Sequence, residues 1–347
     1  MSMRAAVYHG PRDIRVEDVS EPTVEKSKDA IVRVTHSAVC GSDLWFYRGK
    51  TDRDVPSRVG HEPMGIVEEV GDDVQSVDIG DRVFAPFKIS CGFCEFCRRG
   101  LHTSCKNSDS WGGDNGGAQG EVIRCRHADG TLVRVPDAYA TDDSMLRSIL
   151  PLTDVMGTGH HAAVSAGVTA GSTCVVVGDG AVGLCGVLAA RRLGASRIIA
   201  VGHHEDRLSL AREFGATDIV ATRGEEAIET VRERTNGGAE HVLECVGATS
   251  AMKTAVEVCR PGGTVGYVGV PHGLDDGLDL FSFFRGNITL QGGVAPVRAY
   301  ADELLADVLQ GTLDPSPVFT KTVDLDSIAE GYQAMDERDD IKVLVEL

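Results

Sequence analysis

Residues 175–183 read VVVGDGAVG, an apolar run that breaks into glycines at 178, 180 and 183 and then opens into LCGVLAARRLGA. A strand, a tight turn and a helix of small residues satisfy that order. Gly178 makes the turn, Gly180 lets backbone approach a pyrophosphate, and Gly183 lets helix pack close on strand. The amides at the helix start, from Ala181 and Val182 onward, then face phosphates. The surrounding pattern supports this reading. Apolar runs at Cys174–Gly178, Arg197–Gly202, Asp218–Ala221, His241–Val246, Thr264–Val270 and Asn287–Gly292 alternate with stretches of helical period such as Glu205–Phe214 and Glu225–Arg234. Six strands alternating with helices predict an α/β domain with a doubly wound parallel sheet.

A chain of 347 residues exceeds what one core usually serves, so a second domain is expected. From Ala30 to about Val135 the grammar differs: short alternating segments divided by glycine predict a small β-rich barrel or sandwich. The tail, Ala301–Gln310 and then Ser327–Leu347, reads as two helices and a last strand, and periodicity does not assign it to either domain.

A dinucleotide domain that takes NAD usually carries Asp or Glu at the end of its second strand, where it holds the ribose hydroxyls. Here that place reads AVGHHEDR, with Gly202 where the carboxylate is expected. His203, His204 and Arg207 follow as partners for a 2′-phosphate, which favours NADP. Glu205 and Asp206 remain the alternative ribose partners.

The run CGFCEFCRRGLHTSC places Cys91, Cys94, Cys97 and Cys105 in C-x2-C-x2-C-x7-C order. Four thiolates so close in sequence can close a tetrahedral shell around one structural zinc; an iron–sulfur cluster is the competing reading. A second, scattered set consists of Cys40 in AVCGSD, His61 and Glu62 in VGHEP, and Asp154 in PLTDVMGTGHHA. One thiolate, one imidazole and carboxylates can hold zinc and leave a position open for substrate oxygen.

Net charge is −18, which disfavours binding to a phosphate backbone, so no nucleic acid partner is expected. Met1–Pro11 lacks the apolar run of a signal peptide, and Cys174–Ala190 is interrupted by Asp179 and glycines, so neither export nor a membrane span is expected. A cytoplasmic protein with a small-molecule substrate fits these features.

Taken together, CGSD, GHE, the turn Gly80–Val83, the four-cysteine lobe, TDVMGTGHHA and GDGAVG occur in the order of the zinc-containing medium-chain dehydrogenase/reductase superfamily. The chain resembles the alcohol dehydrogenases of that superfamily over essentially its whole length. The resemblance implies a GroES-like catalytic domain over 1–155 with the zinc lobe at 91–105, a Rossmann domain over 156–294, and a return to the catalytic domain over 295–347. It implies Cys40, His61 and Asp154 as catalytic zinc ligands, with Glu62 entering or leaving the shell; an aspartate as third ligand is similar to the bacterial secondary-alcohol branch. Zinc would act as a Lewis acid on the substrate oxygen, Ser42 would take the hydroxyl proton, and Asp43 would orient His61. Thr158, Val246, Gly269 and Val270 would lie at the nicotinamide and Lys342 at the pyrophosphate. A homo-oligomer, tetramer or dimer, is also implied. Many relatives have histidine at the position of Trp45, where it completes a proton relay that tryptophan cannot. Trp45 and Trp111 are candidate walls of an apolar substrate pocket. Polyol, sugar or amino-alcohol substrates are the alternatives on the same scaffold, and a non-catalytic dinucleotide sensor is the alternative outside enzymes.

Overall fold

A computed structural model of the protein describes residues 2–112, 116–272 and 277–347. The chain divides into two compact units, one formed by 1–154 together with 296–347 and the other by 155–295.

The first unit is built on a curved, mainly antiparallel sheet in the order Val133–Arg134, Arg82–Phe84, Met64–Val70, Ala30–Val39, Lys342–Glu346, Phe319–Asp324, with Val122–Cys125 also paired to Ala30–Val39. The central strand Ala30–Val39 is buried along most of its length and on both faces, with Ile31 packing against Met3, Ala5 and Val122 on one side. Val32 and Val34 pack with Val67, Val83, Ile123 and Trp111. The C-terminal strand decides where the tail belongs: Val343 faces Val39 and Leu344 faces Ala38 in antiparallel register. Phe319–Asp324, which the helical reading of the tail left out, runs parallel to that last strand. A separate three-stranded sheet is formed by Asp13–Ser20, Ser2–Gly10 and Ser57–Arg58.

The second unit is a six-stranded parallel sheet in the order Asp218–Val220, Arg197–Val201, Thr173–Val177, Ala239–Glu244, Cys259–Tyr267, Thr289–Gly292. Numbered along the chain this is 3-2-1-4-5-6, the doubly wound order whose crossovers are helical. The helix Glu205–Phe214 has the expected bounds. Two strands shift against expectation. Ala239–Glu244 stops two residues early because the Glu244 carboxylate accepts from the amides of Val246 and Gly247, at 2.9 and 2.8 Å, and turns the chain. Cys259–Tyr267 begins five residues early, running through a Pro261-Gly262-Gly263 kink that periodicity does not register. The Asp275-Asp276 part of the sequence lies outside the described residues. Among the described residues no helix is long and apolar enough to cross a membrane.

Candidate active site

Four donor side chains converge in the first unit, delivered by three backbone devices. Cys40 follows the strand Ala30–Val39. His61 and Glu62 follow Gly60, which has φ of +92° and where a Cβ would stand 2.5 Å from the Gln119 nitrogen, so both conformation and space demand glycine. Asp154 ends the 3-10 turn Leu150–Thr153. One ligand atom from each of Cys40, His61, Glu62 and Asp154 lies within 4.8 Å of every other. Cys40 Sγ is 3.2 Å from Asp154 Oδ2, and His61 Nε2 is 3.3 Å from the same oxygen. Zinc bonds of about 2.0–2.3 Å in a tetrahedral shell put donors about 3.3–3.8 Å apart, so this triangle fits the ion in both chemistry and size.

Asp43 is buried beneath the triangle. Its Oδ1 lies 3.3 Å from His61 Nδ1, and its Oδ2 accepts the Cys40 amide at 3.1 Å. One carboxylate thus fixes the His61 ring and the Cys40 backbone, leaving Nε2 turned toward Asp154. Burial works against a charged His61, but the Asp43 charge and the hydrogen bonds that the ring donates to Asp154, Asp43 and Cys40 outweigh it and hold the pKa well above the usual value. Burial opposes ionisation of Asp154 as well; the His61 hydrogen bond wins and lowers its pKa to about 2.

The resemblance puts Lys342 at the cofactor's pyrophosphate; its side chain is 1% exposed, with the ammonium 2.7 Å from Glu62 Oε1 and 3.3 Å from the Val39 carbonyl. Register explains the placement. Lys342 opens the last strand, one residue before the Val343–Val39 pair, and that pairing carries its side chain inward behind Cys40. Burial opposes its charge, yet Glu62, with Cys40 and Asp154 behind it, raises its pKa. Burial pushes Glu62 up while Lys342 pulls it back; at 2.7 Å the ionised pair is the state the geometry favours. Thr153 Oγ1 reaches the other Glu62 oxygen at 3.4 Å.

Ser42 is exposed at the head of the short helix Asp43–Tyr47, its amide 3.5 Å from Cys40 Sγ. Trp45 lies half-buried on the same helix. Trp111 is a core residue and not a pocket wall: its indole N–H donates to the Pro86 carbonyl at 3.0 Å, and the ring packs among Val32, Val83 and Ile123. Sequence reading missed Gln119, whose amide nitrogen donates to the Ala38 carbonyl at 3.0 Å and whose oxygen accepts from Tyr332 at 2.8 Å. It braces the Cys40 strand against the His61 turn, and its sequence context carries no sign of this.

The four lobe cysteines stand sulfur to sulfur at 3.4 Å (Cys91–Cys105), 3.6 Å (Cys94–Cys97) and 3.9 Å (Cys94–Cys105). A tetrahedral ZnS4 shell has edges of about 3.8 Å. The sulfurs are too close together to straddle a cluster of several irons, so the geometry selects a single ion. Amides of Cys91 and Asn107 each donate to Cys105 Sγ at 3.3 Å, as thiolate ligands require.

In the second unit, Gly180 caps the helix Ala181–Arg192. A Cβ at Gly183 would lie 2.0 Å from the Gly178 oxygen, whereas one at Gly180 would meet no protein atom. The third glycine is thus required by the fold, and the second leaves space for a ligand. Val246, Gly269 and Val270 lie past the C-terminal ends of their strands, both valines exposed. Thr158 is buried in the helix Val155–Ser165. His203 and His204 follow Gly202 with their rings 3.6 Å apart, and Arg207 is half-buried in the first turn of Glu205–Phe214. Asp179, unassigned from the sequence, accepts the amides of both histidines on Oδ2 at 2.8 and 3.0 Å. A carboxylate inside a glycine loop was the available signal. Glu244 was also missed; a charge closing an apolar strand marks it.

Two family models match the chain: an alcohol dehydrogenase GroES-like domain over residues 26–137 and a zinc-binding dehydrogenase domain over 181–309. A zinc-type alcohol dehydrogenase-like protein of Bacillus subtilis (strain 168) is 34% identical, with 99% of this chain and 100% of the relative aligned. The chain belongs to the zinc-dependent alcohol dehydrogenases. Among solved members of these dehydrogenases, the alcohol dehydrogenase TADH from Thermus sp. ATN1 superposes with a TM-score of 0.91 at 32% identity, covering 99% of each chain. A zinc-binding dehydrogenase from Sinorhizobium meliloti 1021, solved bound to NADP, gives 0.83 at 25% identity over 100% of both chains. Zinc-dependent alcohol dehydrogenases are oxidoreductases with a GroES-like and a dinucleotide-binding domain, as the two units of this chain are.

Proposed function

We propose that the protein interconverts an alcohol and its aldehyde or ketone with hydride exchanged with NADP(H) in preference to NAD(H), at a catalytic zinc held by Cys40, His61 and Asp154, while Cys91, Cys94, Cys97 and Cys105 hold a structural zinc. The observation that carries this reading is the Cys40–His61–Asp154 triangle, with Cys40 and Asp154 buried, His61 half-buried and the exposed Ser42 beside Cys40. Bound there, zinc supplies Lewis acidity that eases loss of the hydroxyl proton. The exposed Ser42 hydroxyl accepts that proton while releasing its own to solvent, and Asp43 keeps the His61 tautomer. Glu62, neutralised by Lys342, stands in reserve behind the shell. Thr158, Val246, Gly269 and Val270 border the nicotinamide; Gly178, Gly180, Ala181, Val182 and Gly183 cradle the pyrophosphate. His203, His204 and Arg207 attract a 2′-phosphate that no side chain at Gly202 repels, and the NADP found in the Sinorhizobium relative supports the same preference.

A cytoplasmic homo-oligomer, dimer or tetramer, completes the reading. None of the ten cysteines is joined in a disulfide, as fits a reducing compartment. The strand Thr289–Gly292 is an open sheet edge, and Leu280, Phe281 and Phe284 nearby are 72%, 66% and 80% exposed, the kind of patch that another copy covers.

The test is a zinc count by elemental analysis with NADPH and NADH oxidation over a panel of aldehydes, ketones and polyol-derived carbonyls, and light scattering for mass. Two zincs per chain and faster NADPH turnover support the reading. One zinc and no turnover on any carbonyl would move a sensor ahead. Ser42→Ala should keep both zincs and lower kcat by about 10²-fold, the scale of a lost general base; an unchanged kcat would remove Ser42 from the proton path.

A further inference from the structure

Asp179 occupies the place that the sequence reading took to be vacant. A Cβ at Gly202 would stand 2.6 Å from Asp179 Oδ2 and 2.6 Å from its Cβ, so the space beyond the second strand is filled by a side chain arriving from the glycine loop. That carboxylate is held firmly. Oδ2 accepts from the His203 amide at 2.8 Å and from the His204 amide at 3.0 Å, with His204 Nδ1 at 3.0 Å and His203 Nδ1 at 3.5 Å. Oδ1 takes none of these contacts. Burial opposes its charge, but the two amides and His204 prevail and keep its pKa below the usual value.

In dinucleotide domains a carboxylate at this place accepts the ribose 2′-hydroxyl and repels a 2′-phosphate. The effect depends on where the charge stands, not on which strand supplies it. We propose that Asp179 is the residue that discriminates NAD from NADP: Oδ1 accepts the 2′-hydroxyl of NAD, and its charge opposes the 2′-phosphate that His203, His204 and Arg207 attract. The inference rests on the reading that the glycine loop binds a nicotinamide dinucleotide. Cofactor preference is then a balance of opposed charges within one cluster, and the protein accepts both nucleotides with modest bias.

Asp179→Asn is the direct test, because the amide oxygen still accepts the histidine amides while the charge is gone. On the zinc-loaded enzyme, kcat/KM and Kd for NADP and NAD are measured for wild type and variant, with Tm and zinc content as controls. The NADP/NAD ratio should rise at least about tenfold, with tighter NADP and weaker NAD, the scale of one charge-assisted hydrogen bond. A second variant, Asp179→Gly with Gly202→Asp, returns the carboxylate from the strand side and should bring the ratio back toward wild type. This pair keeps the idea testable if the single variant folds poorly. A ratio that stays flat, or equal weakening of both nucleotides, would make Asp179 a mere brace of the loop and overturn the proposal. The wild-type ratio separately tests the NADP preference, since Asp179→Asn shifts the ratio from whichever side of unity it starts. A wild type that binds neither nucleotide would sink both.

Discussion

Cys40→Ser is expected to lose about three orders of magnitude or more in kcat/KM, roughly 4 kcal/mol of transition-state stabilisation, while zinc falls from two per chain to one. Asp154 Oδ2 lies 3.2 Å from Cys40 Sγ and 3.3 Å from His61 Nε2, and one ligand atom from each of the three residues lies within 4.8 Å of the others. A serine hydroxyl leaves the thiolate corner without a charged, soft donor, so the ion there is held by one imidazole and one carboxylate. The lobe shell of Cys91, Cys94, Cys97 and Cys105 is a separate set and should keep its zinc. Elemental analysis and turnover on the same preparation decide the matter. Retained activity with one zinc lost would mean that chemistry does not pass through this triangle.

Lys342→Met should destabilise the protein by about 3–5 kcal/mol, the cost of stranding a buried charge whose partner has been removed. Glu62 is fully buried, and the Lys342 ammonium at 2.7 Å is its charge partner. The sign with pH follows from Glu62. Without Lys342, burial alone raises its folded pKa above the ordinary 4.5. The loss is therefore complete at pH above that raised value, shrinks as the pH falls, and vanishes below 4.5, where the carboxyl is protonated in both states. Glu62→Gln combined with Lys342→Met should recover much of the deficit, because no charge is left buried. Thermal melts of wild type and the two variants at pH 5 and pH 8 measure this. A single variant as stable as wild type at pH 8 would place the Lys342 head in water and not behind the metal centre.

Much of this protein is legible in its sequence where the physical demand is local. Four thiols at C-x2-C-x2-C-x7-C spacing can reach one ion because the chain between them is too short to separate them. The strand–glycine–helix order at 175–192 is likewise enforced by neighbours in sequence: at Gly183 a Cβ would strike the Gly178 oxygen only five residues away. Periodicity sufficed for the parallel sheet for the same reason, and it failed at Cys259–Tyr267, where proline and glycines hide a strand held by its partners.

What the tertiary structure alone decided are the pairings across long separations. Lys342 and Glu62 lie 280 residues apart, and nothing local distinguishes a buried lysine from an exposed one until the last strand docks beside Ala30–Val39. Gln119 and Tyr332, 213 residues apart, meet for the same reason. At Gly202 the sequence determined that no strand-end carboxylate exists, but only the folded loop reveals that Asp179 fills that space. A missing side chain leaves room in three dimensions, and sequence order does not say which neighbour takes it.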